Sequence, residues 1–357
     1  MDRFRHIQQV ISVLRQENQR PSQFDEQALD RAAANSGAAT GTAIRILSIV
    51  GGLLSALAFL SFVTMSGLNK SALGMTLAGL LLFGLAILMK RLYSRLLTDT
   101  FSITFYGLGY LLLGLGLERY DIGHNWISFA LILTGFFALI LLRHFVFSLV
   151  SFLIIHGCIL NLILSNKLND GVYLYELLLA LALWFCCLFE ARMLRMHPLV
   201  SGHYLSLRLA VLLSFLFSIF LFARKDFLPA SGYTLSAAAL GMGLMLLPTA
   251  TRIMNLLEVD SRFGRMSVYA VCIAIALCCF KAPAITGSML ALLVCFFVNF
   301  QMGVLLSALT LLYGLGQYFY DINLPMSQKS GLLCLIGLIF IGFYLILQKK
   351  WSADEKV

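Results

Sequence analysis

Three polar side chains interrupt two neighbouring apolar runs. His156 and Asn161 stand in one, and Glu176 stands in the next. Imidazole and carboxyl groups are the side chains that most often pass protons. Inside a bilayer such residues are costly, and they tend to mark substrate or ion pathways. His156 and Asn161 are about one and a half helical turns apart. Together with Glu176 they could line a polar path across two adjacent helices, an arrangement suited to proton-coupled transport. The plainer reading is that they hydrogen-bond between helices and hold a bundle together. A second set lies elsewhere. Asp121 closes the segment GLGLERYDI (114–122), and Asp321 closes GLGQYFYDI (314–322), which matches it at six of nine positions. With Lys329, these aspartates either lie harmlessly at the headgroups or shape an outward-facing site or docking surface. As an acid–base pair they would have to sit within about 10 Å of each other.

The elements that must position these groups are membrane spans. Sixty per cent of the 357 residues are hydrophobic, only 12 per cent are charged, and the mean hydropathy is +0.89. A soluble domain carries roughly 25% charged residues, so the solvent for this chain is lipid. Apolar runs of spanning length fall at 44–66, 71–89, 100–117, 126–142, 145–165, 172–190, 206–223, 232–250, 266–280, 282–299, 302–318 and 330–347. This predicts an all-α, polytopic membrane helix bundle of about 12 transmembrane helices, or ten to twelve if a junction is a kink. The tightest junctions are Arg143–His144, Lys281–Pro283 and Phe300–Gln301. The first run, from Ile44, is expected to remain as a span and to direct insertion.

Charge supports the count. With strict alternation, seven of the 26 Lys and Arg fall on one side: Lys70, Arg119, Lys167, Arg224, Lys225, Lys281 and Lys329. The other nineteen fall on the side of the N-terminus. The positive-inside rule then places both termini in the cytoplasm. The net charge of +9 is read as topology and not as affinity for nucleic acid, since the basic residues are scattered among short loops. Residues 1–43 form a cytoplasmic preface. Phe4, Ile7, Val10, Ile11 and Leu14 recur there at helical spacing, and this helix either lies on the anionic leaflet or touches the protein's own loops. Residues 44–350 form the membrane domain and 351–357 a short cytoplasmic tail.

A second internal echo accompanies the first. Lys70-Ser71 and Lys329-Ser330 each open an inward span, which Lys90-Arg91 and Lys349-Lys350 close 20 residues later. That spacing is about the hydrocarbon thickness, so snorkelling lysines explain it. The eight cysteines, all in apolar runs and without a CxxC, read as small buried hydrophobes. HExxH, P-loop and GxSxG signatures are missing, so no cofactor, metal or enzymatic activity is expected. Glu190 and Arg208 are expected at the inner headgroups, where they could pair.

The C-terminal pattern Tyr318, Phe319, Tyr320, Asp321, Leu324, Lys329 and Ser330, followed by a leucine-rich span, resembles the end of a bacterial multipass membrane family classed only as a domain of unknown function. Ile322 departs from the leucine usual there. The resemblance extends over 44–350, with its specific part in the last 35 residues. It implies an inner-membrane location. Members are often encoded with, or fused to, another multipass domain, and often sit beside a membrane-anchored protein named for a GDYxxLxY motif, so a small membrane-anchored partner is implied. It supplies no activity. The expected function is a non-enzymatic component of a membrane protein assembly. The alternative is a secondary transporter of a small or lipid-like solute.

Overall fold

The computed structural model describes residues 42–92, 96–142, 144–196, 198–223, 231–258 and 261–321, with Pro325, Ser327, Gln328, Ser330 and Gly331. Among these residues all regular structure is helical. Hydrocarbon offers a backbone no hydrogen-bond partners, and a helix satisfies every amide within one segment. The helices are α1 (Thr42–Met65), α2 (Ala72–Leu92), α3 (Leu96–Glu118), α4 (His124–Leu141), α5 (Phe145–Ser165), α6 (Asn169–Leu188), α7 (Glu190–Met196), α8 (Pro198–Phe222), α9 (Gly232–Leu256), α10 (Arg262–Cys278), α11 (Pro283–Phe297) and α12 (Gln301–Asp321). Eight are long and apolar enough to cross a membrane: α2, α3, α4, α5, α6, α8, α9 and α12. The chain is therefore read as a membrane protein. The expected twelfth span beyond Gly331, the preface up to residue 41, Lys329 and the C-terminal tail lie outside the described residues.

The three tight junctions are all breaks between helices. Leu142 and His144 are extended on either side of the first. Pro283 opens α11 at the second, where a missing N–H costs nothing. Asn299 adopts a left-handed φ of 55° at the third, and Phe300 N–H closes the turn on Cys295 O at 2.9 Å. One expected boundary is corrected. Helix α8 starts at Pro198 rather than near residue 206. Its early polar residues are tolerated because neighbours satisfy them. Ser148 Oγ meets His203 Nδ1 at 2.7 Å, Ser206 Oγ donates to Phe145 O at 2.9 Å, and Arg208 reaches Glu190 at 3.4 Å.

Side-chain pairings reveal the helix directions. In α2 and α3, residues 76, 79 and 83 face 116, 113 and 109, an antiparallel register. Gly79, Gly109 and Gly116 let these two backbones touch. A Cβ on Gly79 would stand 2.8 Å from the Leu113 amide nitrogen. Asn125 pairs with Asn166, and Asn161 with Ser128, so α4 and α5 are antiparallel too. Helices α6 and α9 run parallel, tied by Asp170 to Ser231 and Thr234 at one end and by Trp184 to Thr249 further along. Helices α11 and α12 are antiparallel, with Cys295 beside Gly303 and Ala284 beside Gly314.

Alternating directions give the bundle two unlike ends. One carries Lys90, Arg91, Arg192, Arg195, Arg208, Arg252, Arg262 and Arg265; the other carries Lys70, Arg119, Lys167 and Lys281. They are called the basic and the sparse end below. The largest core joins α5, α6, α8, α9, α10 and α11 around Leu183, Phe215, Met242 and Leu290. Smaller cores join α2–α5 around Tyr106 and Phe147, and α1–α3 around Leu112. Of the seven cysteines among the described residues five are buried, but Cys278 is exposed and Cys279 half-buried at the end of α10; Cys334 lies outside the described residues. The expectation of uniformly buried thiols is corrected there, because among the described residues α10 packs mainly on α9.

Candidate functional site

The three polar residues that suggested one path go three separate ways. His156 Nδ1 lies 2.7 Å from Tyr175 Oη, a link between α5 and α6. Asn161 Nδ2 donates to Ser128 Oγ at 2.9 Å, a link between α5 and α4. Glu176 turns the other way. Successive residues on a helix point about 100° apart, so Tyr175 and Glu176 serve different neighbours. For His156 and Asn161 the structure shows interhelical hydrogen bonding.

Glu176 is 2% exposed, and its Oε1 has no hydrogen-bond partner. It lines a cavity of about 40 Å³ at the sparse end. A site of that size holds roughly three waters. Five helices and one turn meet there, α11 among them through Pro283, Ala284 and Ile285. Helix α6 supplies Tyr173 and Glu176, and α12 supplies Tyr318 and Asp321. The α10–α11 turn supplies Lys281, while Ile219 of α8 and Leu235 of α9 form apolar wall. Glu176 is the eighth residue of α6, about 10 Å below the start of its helix. Asp321 ends α12, and Lys281 stands exposed in its turn. The carboxyl of Glu176 is thus the floor, and Asp321 and Lys281 are the rim.

Local sequence explains each placement. Helix α11 has only 15 residues, about 22 Å, against a hydrocarbon core of about 30 Å. Its start, Pro283, lies in the cavity wall, so the positive end of the α11 dipole is at the cavity. A Cβ on Gly314 would stand 3.5 Å from the Ala284 Cβ, so α12 lies close to that start. Gln317 Nε2 donates to Asp321 Oδ1 at 3.0 Å and holds the rim carboxylate about two turns above Gly314. Lys281 Nζ lies 5.4 Å from the Phe280 ring centre and forms no ion pair, since the pairing of Arg208 with Glu190 is the one salt bridge among the described residues. Two carboxyl residues and one lysine therefore line the same small cavity.

Asp121 is not part of this site. It is exposed in the α3–α4 turn with a left-handed φ of 55°. Helix α3 packs on α1, α2, α4 and α5, whereas α12 packs on α8 and α11. The two echo segments also differ in surroundings. Gly116 is pressed against Thr76, while Gly316 faces open space. Lys329 lies outside the described residues. Lys281, Tyr173 and Tyr318 escaped the sequence reading, in which Lys281 served only as a topology marker at a tight junction and Tyr318 only as part of the C-terminal pattern. The available signal was the shortness of the apolar runs on both sides of Lys281.

A second cavity, about 370 Å³, lies between α5, α6 and α8. Leu153, Leu160 and Leu213 line it with His156, Tyr175, Ser214 and Ser218, and Phe217, 58% exposed, stands at its edge. At the basic end, the Arg208 guanidinium lies over Tyr204 and Phe300, 5.5 and 5.3 Å from their ring centres.

The family model of a domain of unknown function, DUF4401, matches residues 42–350, and the chain belongs to that family. No curated protein and no solved structure matches it.

Proposed function

We propose, from that family membership as premise, that this protein is a non-enzymatic secondary transporter of the bacterial inner membrane, handling a small or lipid-like solute. The single observation behind this reading is Glu176. A carboxyl buried to 2% exposure with an unpartnered oxygen is a standing cost to the fold. Ionisable groups kept at such a cost inside membranes belong by default to pathways. Twelve spans with both termini cytoplasmic agree with the basic and sparse ends, and put the Glu176 cavity on the outer side. The test is flux in proteoliposomes under imposed proton and sodium gradients, first with a panel of small and amphiphilic solutes. Glu176→Gln should remove gradient-driven flux while leaving the helical content and elution volume unchanged. Flux that persists in this variant would refute the role of the cavity.

A second reading, a component of a membrane assembly, is favoured by α10. Among the described residues this helix has α9 as its main neighbour, and it turns Met266, Ile273 and Leu277 outward. A small membrane-anchored protein of the kind implied by the C-terminal resemblance would fit against it. Purification of the tagged protein in mild detergent, with mass spectrometry of proteins and lipids, separates the two readings. A stoichiometric membrane partner supports assembly, and a lone protein with active flux supports transport.

A further inference from the structure

The Glu176 cavity limits its own ligand. At about 40 Å³ it has no room for an organic solute. A hard metal cation would want six or more oxygens around it, and a lysine ammonium already stands at the rim. A proton needs one lone pair, and Glu176 Oε1 holds one without a partner. We infer that Glu176 is a proton-binding site open to the sparse end, with Lys281 as the tethered cation that takes the place of the proton when it leaves. This deepens the transport reading and rests on it for its purpose, though not for its test.

The step balances without a co-reactant. The O–H bond of the Glu176 carboxyl breaks, the electron pair stays on the carboxylate, and the proton passes to cavity water and out past Asp321. The carboxylate left behind is deep in an apolar wall, where an unpaired charge is expensive. Lys281 is on a flexible four-carbon stem. With no ion-pair partner among the described residues, it can turn from Phe280 into the cavity and neutralise that charge. On reprotonation the attraction disappears and the ammonium returns to water. Facing Glu176 are Tyr173 from its own helix, Tyr318 and Asp321 from α12, and Lys281 from the α10–α11 turn. Helices α8 and α9 contribute only apolar side chains to the wall, Ile219 and Ala223 from one and Leu235 from the other. Asp170, at the start of the same helix, is committed to Ser231 and Thr234.

Infrared difference spectroscopy of the full-length protein in lipid, titrated with pH, reads this directly. The expected result is a protonated-carboxyl band that vanishes as pH rises and shifts in protein labelled with 13C-glutamate. Glu176→Gln should abolish it, and Asp321→Asn should retain it. In Lys281→Met the band should persist to higher pH, because the carboxylate has lost its counter-charge. The isotope shift in unaltered protein and the Lys281→Met response keep the test valid even if Glu176→Gln folds poorly. A label-shifted band absent throughout the folded range would overturn the inference, as would a band indifferent to Lys281. If Glu176 titrates as described but no solute moves in proteoliposomes, the proton site stands and the transport reading falls. If flux occurs with no such band, transport stands and the proton site falls.

Discussion

Replacing Gly116 and Gly316 with alanine, one at a time, tests the packing through two chemically identical changes. Both glycines lie inside helices, in matching GLG segments. Each substitution gains up to about 1 kcal/mol of helix propensity. Their surroundings separate them. A Cβ on Gly116 would stand 2.5 Å from Thr76 Oγ1 and 2.8 Å from the Thr76 amide nitrogen. The hydroxyl can rotate away, but the amide moves only if α2 moves. That displacement would also loosen the Gly79–Leu113 and Gly109–Phe83 contacts of the same interface. Overpacking of this kind costs about 1–3 kcal/mol. A Cβ on Gly316 meets nothing within 4 Å. Gly316→Ala should therefore be neutral or slightly stabilising, and Gly116→Ala should lie about 1–3 kcal/mol below it. Reversible unfolding in mixed detergent micelles measures both. Adding Thr76→Ala to Gly116→Ala should restore only part of the loss, because the amide contact persists. Equal stability of the two single variants would refute the close approach of α2 and α3.

Two further outcomes follow from the polar contacts. Tyr175→Phe removes the partner of His156 and should cost about 0.6 kcal/mol in the same unfolding assay, with flux unchanged; a folded but inactive variant would return His156 to the transport path. Arg208→Lys should destabilise the basic end nearly as much as Arg208→Ala, by about 1 kcal/mol, because an ammonium cannot reproduce a planar guanidinium lying over Tyr204 and Phe300; full rescue by lysine would show that only charge matters there.

The helices were legible because a bilayer leaves the backbone so few choices. Runs of apolar residues near spanning length become helices whether or not they are amphipathic. Even the three shortest junctions were readable, each from one or two residues such as Pro283 or Gln301. The start of α8 was not, because His203, Ser206 and Arg208 look like loop residues until Ser148, Phe145 and Glu190 are seen opposite them. Rotation about the helix axis was equally hidden. Apolar residues surround most of these helices on every side, so no stripe shows which face meets protein and which meets lipid.

That hidden rotation decides the site. Glu176 stood out in the sequence as a charge within an apolar run, and so did His156 and Asn161 for similar reasons. What separates them is the partner each one meets. A hydroxyl from the next helix satisfies His156 and another satisfies Asn161, and such bonds contribute modestly and symmetrically to any bundle. Glu176 meets a small cavity instead, and the cation that can answer its charge comes from a turn 105 residues further along the chain. The echoed aspartates teach the same lesson in reverse. Their segments match letter for letter at GLG and at YDI, yet Asp321 reaches the rim of that cavity while Asp121 faces solvent in a different turn. Residue type therefore nominates candidates in a membrane chain, and an unsatisfied buried atom selects among them.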